Sequence, residues 1–253
     1  MNRTLTFLSV AVIFAVGLSF QANGAPEPGP SQSVKVHQTR TPIYPSDLNR
    51  TGITKGFAAI AFGVDAEGNL IDYLPVAYTH EDFYTSSIDA LTRWRFDPAL
   101  EAGQPRAVVM QMTFNFESSG NVVEMRVGDD VNAQFNRMRP TPEAFRICKL
   151  DELDQVPVPV SIVSPSYPEA FLGSRLEGAV TIEFYIDESG DVRLPAVIEQ
   201  SAGDFAGAAM EAVRQWKFEP PMKEGIPVFA VARQRFSFEP STEGNVSAVE
   251  GPE

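Results

Sequence analysis

The sequence predicts an α+β protein made of two tandem small domains, each a short antiparallel sheet with a packed helix. Three observations predict it. The segment Trp94-Arg95-Phe96-Asp97-Pro98, followed by Gly103-Gln104-Pro105, returns as Trp216-Lys217-Phe218-Glu219-Pro220, followed by Gly225-Ile226-Pro227, at a constant offset of 122 residues. A repeat kept in step over that distance means one domain duplicated. Each copy also holds a stretch with apolar side chains at every second position, and a later one with apolar side chains at every third, the periods of a strand and a helix.

The echo extends from Tyr44-Pro45 and Tyr167-Pro168 to Phe114-Asn115-Phe116 and Phe236-Ser237-Phe238. It bounds the repeats at residues 34–117 and 156–239. Residues 1–24 stand outside them. Arg3 precedes an uncharged apolar run from Leu5 to Phe20, and Ala22 and Gly24 are small residues ahead of Ala25. This reads as a secretory signal peptide, so the chain is expected to be exported. The alternative is an uncleaved anchor, for which the run is short. Residues 25–33 form a flexible leader, 118–155 a connector and 240–253 a disordered acidic tail. In the connector, residues 130–138 and a stretch opening at Thr141-Pro142-Glu143 are expected to be short helices.

Within each repeat the order is helix–strand–hairpin–strand–helix–strand. A short helix follows each Tyr-Pro and exits at Gly56 or Gly178. Ala58, Ile60, Phe62 and Val64, and Val180, Ile182, Phe184 and Ile186, mark a strand with one buried face. Asp65-Ala66-Glu67-Gly68 and Asp187-Glu188-Ser189-Gly190 are hairpin turns, with Asp bonding back to the backbone and Gly accepting positive φ. Pro75 and Pro195 place a bulge or an edge in the second strand. Asp82 and Asp204 are candidate helix caps. Ile88, Leu91 and Trp94, like Met210, Val213 and Trp216, share one helical face that ends near Phe96 or Phe218, ahead of a proline. Residues 107–116 and 229–238 form the last strands.

Hydrophobic residues make up 43% of the chain, enough for two modest cores and too many for a disordered protein. The net charge of −13 becomes −14 once Arg3 is removed, which excludes nucleic acid as a natural partner. Cys148 is the one cysteine and can form no internal disulfide. His37 and His80 lack a second ligand at metal spacing, the paired carboxylates sit in turns, and no nucleophile or phosphate-loop motif is present. The chain is therefore read as a non-enzyme without a cofactor. Tyr44 and Tyr167 are either core anchors or exposed contacts, and the sequence leaves both open.

The ordered set Tyr-Pro, Gly, alternating strand, Asp-x-x-Gly, Trp-x-Phe-x-Pro, Gly-x-Pro and Phe-x-Phe, present twice, resembles the TonB C-terminal domain family. The resemblance covers roughly two thirds of the chain. It implies a periplasmic protein of a Gram-negative envelope that captures an extended peptide by adding it to a sheet edge near the Tyr-Pro segment. By that resemblance the peptide-binding residues are Tyr44, Pro45, Val109, Gln111 and Thr113 in the first repeat. In the second they are Tyr167, Pro168, Val231, Arg233 and Arg235, where the arginines favour acidic segments. The implied partners are envelope proteins, among them outer-membrane transporters, with ExbB and ExbD added only if the N-terminus stays uncleaved. The functional expectation is a periplasmic binding or adaptor protein. Its alternatives are an inner-membrane-anchored energy transducer and a self-associating structural envelope protein.

Overall fold

The computed structural model describes residues 31–118, 124–127, 131–138, 141–174, 176–201 and 205–240. The predicted signal peptide, most of the leader, Asp204 and all of the predicted tail except Pro240 lie outside the described residues. The chain forms two compact units, Met1–Ala144 and Phe145–Glu253.

The first unit contains β1 (Lys35–Gln38), α1 (Ser46–Arg50), β2 (Lys55–Val64), β3 (Leu70–Tyr78), α2 (Glu81–Leu91), β4 (Arg95–Asp97), β5 (Val108–Glu117), β6 (Glu124–Val127) and α3 (Val131–Arg137). Its sheet runs β6-β5-β2-β3, antiparallel throughout. The second unit contains β7 (Cys148–Lys149), β8 (Pro159–Ser161), β9 (Gly178–Ile186), β10 (Val192–Gln200), α4 (Ala206–Val213), β11 (Lys217–Phe218) and β12 (Ala230–Phe238). Its sheet runs β7-β12-β9-β10, with β7 parallel to β12. The two-domain α+β architecture of the sequence reading is what the chain adopts.

Each core forms on the predicted face. Ala58, Ile60, Phe62 and Val64 are buried with Phe83, Leu91, Trp94, Phe96, Phe114 and Phe116. Val180, Ile182, Phe184 and Ile186 are buried with Phe205, Val213, Trp216, Phe218, Phe236 and Phe238. A buried indole needs a partner for its N–H. Trp94 donates to the Arg40 carbonyl at 2.9 Å and Trp216 to the Val163 carbonyl at 2.8 Å, tying the chain ahead of each Tyr-Pro to the helix end. In the hairpins Asp65 Oδ1 accepts from the Glu67 and Asn69 amides, and Asp187 Oδ1 from the Ser189 and Asp191 amides. Gly190, at φ +83°, packs so closely on the Phe218 carbonyl that a Cβ would stand 1.9 Å from it. The Asp-x-x-Gly turn and the Trp-x-Phe segment are thus one packed unit.

Several expectations need correction. The helices end at Leu91 and Val213, and Phe96 and Phe218 sit in short strands, β4 and β11, paired with β1 and β8. β1 and β8 are too short to register as a period. The cap of α2 is His80, whose Nδ1 accepts from the Asp82 amide at 3.2 Å. Glu169–Phe171 makes only a 3-10 turn where a helix was expected. The stretch after Pro142 is not an α-helix: a single turn at Pro142-Glu143 is followed by extended Phe145–Arg146 and Cys148–Lys149 and a 3-10 turn at Leu150–Glu152. Finally, β2 is buried on both faces, because Phe57, Ala59 and Ala61 lie under further protein.

Candidate functional site

The outer edge of a sheet is a feature that both repeats share among the described residues and that can bind without catalytic groups, where its N–H and C=O groups lack strand partners. Which residues point outward can be read from the hydrogen bonds. The Cys148 amide donates to the Phe229 carbonyl at 2.9 Å, so Phe229 faces away from β9. On the other side of β9, Ala179 exchanges hydrogen bonds with Ser201, which leaves its opposite number Ser237 facing outward too. The register between is unbroken. Alternation along β12 therefore turns the main-chain groups of Val231, Arg233, Arg235 and Ser237 to the outer edge.

β7 covers only the start of that edge, pairing Cys148 with Ala230 and Lys149 with Val231. Beyond it, no strand among the described residues pairs with the outer side of β12. One local group closes part of the gap. Gln234, buried in the core, donates its side-chain amide to the Arg235 carbonyl at 2.8 Å. It takes the place of a strand donor.

In the first unit Phe57 exchanges hydrogen bonds with Thr79 and lies opposite Asn115. Val109, Gln111, Thr113 and Asn115 then face outward on β5. β6 pairs with Met112, Thr113, Phe114 and Asn115. Thr113 is also 1% exposed. It presents neither a side chain nor an unpaired backbone, and it drops out of the candidate site. Val109 and Gln111 keep an outer edge clear of β6 that is only a few residues long.

The Tyr-Pro segments serve the fold. The Tyr44 hydroxyl donates to the Ile53 carbonyl and the Tyr167 hydroxyl to the Leu176 carbonyl, each nine residues on. Their rings pack on Phe83 and Phe205. Tyr167 is buried and Tyr44 half-buried, so the two tyrosines are core anchors, and Pro45 and Pro168 start the turns after them. Ile43, Tyr44 and Pro45 do line a shallow hollow with Asp82, Ser86 and Asp89.

The charges on the second edge are fewer than the sequence implies. Arg233 is held by Glu183 of β9 at 2.8 Å. Arg235 is exposed and makes no ion pair among the described residues. Ser237 was missed by sequence reasoning, although continuing the Arg233, Arg235 alternation reaches it. At the start of the edge, Glu152 accepts from both Arg146 and the Lys149 amide. The Arg146 guanidinium first, then the Lys149 N–H, hold its carboxyl at about 2. Burial pushes the Cys148 thiol up, away from reactivity. No group of three or more His, Cys, Asp or Glu side chains is placed to hold a metal among the described residues.

A family model described as Gram-negative bacterial TonB protein C-terminal matches residues 40–118 and 163–240. The chain belongs to this TonB C-terminal domain family. Both matched segments coincide with the repeated cores just described, so the duplication is a duplication of the family domain. Protein TonB of Vibrio cholerae serotype O1 is 32% identical over 92 residues, which is 36% of this chain and 38% of that relative. The matched stretch therefore spans well under half of the curated relative.

Proposed function

We propose that this protein is an exported, periplasmic TonB-like adaptor that captures an extended segment of an envelope partner by strand addition, and that capture is confined to the second repeat. The observation that carries the reading is the outward row Arg233, Arg235 and Ser237, uncovered by any strand among the described residues, against β6 lying on the matching row of β5. Main-chain pairing supplies affinity and the flanking side chains supply preference. Arg235 favours an acidic residue beside it, whereas Arg233 is already neutralised by Glu183. The partners are envelope proteins, outer-membrane transporters among them, and no step of chemistry is involved.

The test is proline at outward and inward positions of β12. Arg235→Pro removes an outward N–H, which an edge strand tolerates, while the inward Gln234→Pro breaks the ladder to β9 and serves as the folding control. A photo-crosslinker at Ser237 identifies the partner segment in envelope extracts. Arg235→Pro is expected to lose that partner while keeping its fold. A folded Arg235→Pro protein that binds the crosslinked segment as tightly as the parent sinks the reading.

A second reading is an inner-membrane-anchored energy transducer working with ExbB and ExbD. The uncharged apolar run of residues 5–20 and the similarity to Protein TonB favour it. N-terminal sequencing separates the two: a chain starting at Ala25 supports the adaptor, and one starting at Met1 supports the transducer.

A further inference from the structure

The strand that opens the second repeat shows solvent an apolar surface. Val156, Val158, Val160, Ile162 and Val163 are 39–62% exposed. The segment is nevertheless held in place. β8 pairs with β11, the Val158 carbonyl accepts from the Glu219 amide at 2.8 Å, and the Val163 carbonyl accepts from the Trp216 indole.

The first repeat builds the same backbone with other side chains. Counted from the two tyrosines, at an offset of 123, Val158, Val160 and Ile162 take the positions of Lys35, His37 and Thr39. The Arg40 and Val163 carbonyls, each bound by a tryptophan, fix that alignment in space. Lys35, His37 and Thr39 are exposed polar residues of an ordinary surface strand. The fold therefore does not require apolar side chains there, and a run of them marks a contact surface.

The main chain restricts how that surface is used. The Val158 carbonyl faces β11, so the flanking Pro157 and Pro159 turn their main-chain groups to the outer edge. The Phe218 amide agrees with this, since it donates to the Gly190 carbonyl and not to Pro159 opposite it. Proline has no N–H, so this edge cannot extend a ladder, and contact must be made by side chains. No charged residue lies between Asp154 and Glu169. Two copies of a chain of net charge −13 repel each other. Exposed charges are screened beyond ~8 Å at physiological ionic strength, so the copies can meet where neither carries charge.

We infer that residues 156–163 form a self-complementary contact through which two copies of this chain associate about a two-fold axis. A two-fold contact uses the same patch on both copies, and the proline-blocked edge stops the assembly from growing by strand addition. The inference does not rest on strand capture at β12.

Sedimentation of the protein over a range of concentrations tests it, with a double variant that restores the residues of the first repeat, Val158→Lys with Val160→His. The parent is expected to dimerise with a Kd of ~100 µM or tighter, and the variant to bind itself at least about tenfold more weakly. Both side chains are exposed, so the Trp216 fluorescence melt should be unchanged as the folding control. In a Cys148→Ser background, Val160→Cys is expected to crosslink two copies through residue 160 at least about tenfold faster than His37→Cys, the matching position of the first repeat. A parent that stays monomeric overturns the inference, and so does a dimer that the double variant leaves equally tight. A monomeric parent that floats with phospholipid vesicles, and loses them on the double substitution, overturns it in favour of a lipid surface.

Discussion

The two repeats share a core and differ on the far side of their sheets. In the first, Phe57, Ala59, Ala61 and Thr113 are all buried. Helix α3 supplies cover, with Val131 buried and Phe135 set edge-on to Phe57 at 6.4 Å between centroids. In the second, the matching positions Ala179, Thr181 and Glu183 are half-buried and Arg235 is exposed, with Tyr185 buried at one end of that face. The first repeat is thus a sheet between two layers, with part of its edge sealed by β6. The second has a cross-strand ion pair on its less buried face, and beyond β7 no strand among the described residues pairs with its outer edge. Duplication kept the core, the Asp turns and the tyrosine and tryptophan hydrogen bonds, and the copies diverged on the far face and the outer edge.

The comparison breaks most visibly at the tryptophans, one per unit. Trp94→Ala is expected to cost ~3–5 kcal/mol and to unfold the first unit, with Trp216 fluorescence still reporting a cooperative second transition. A denaturant melt in which both units are lost together would show a shared core. Next in size, Ala61→Glu places a charge on the buried face of the first repeat and is expected to cost ~3 kcal/mol or more in the same melt. Its counterpart Glu183→Ala, at a half-buried position paired with an exposed arginine, is expected to stay within ~1 kcal/mol of the parent.

Smaller effects sharpen the edge. Gln234 occupies the position that Met112 holds in the first repeat, and it bonds the outward Arg235 carbonyl. Gln234→Met removes that substitute donor and is expected to tighten binding of the crosslinked segment several-fold, read by titration. The smallest effect is a pH dependence. The Glu152 carboxyl is depressed to about 2 from an ordinary 4.5, so its contribution is fully present above pH ~4.5 and is lost as pH falls toward 2. Glu152→Gln is therefore expected to speed exchange of the Cys148 amide, which holds β7 to Phe229, near neutral pH. The difference from the parent should shrink as pH falls from 4.5 to 2 and vanish below it.

Much of this was legible in the sequence. A repeat in step, a period of two, an Asp-x-x-Gly turn and a Trp-x-Phe-x-Pro run are local patterns, and each reports a local force: burial of one face, positive φ, the ban on helix before proline. The role of the Tyr-Pro pair was not legible, because a tyrosine nine residues from its acceptor carbonyl looks the same whether its ring is inside or outside. The double burial of β2 was hinted at by Ala59, Ala61 and Gly63, but small residues on the second face fit a cover and a bare surface equally.

By itself, then, the sequence determined the family domain, its duplication and the two cores, since these follow from side-chain periodicity and turn chemistry. Only the tertiary structure decided which part of each edge a described strand covers and which arginine is paired with Glu183. Those depend on pairing between segments far apart in the chain, β6 on β5, β7 on β12 and Glu183 on Arg233, and such pairing is set by the register of a whole sheet.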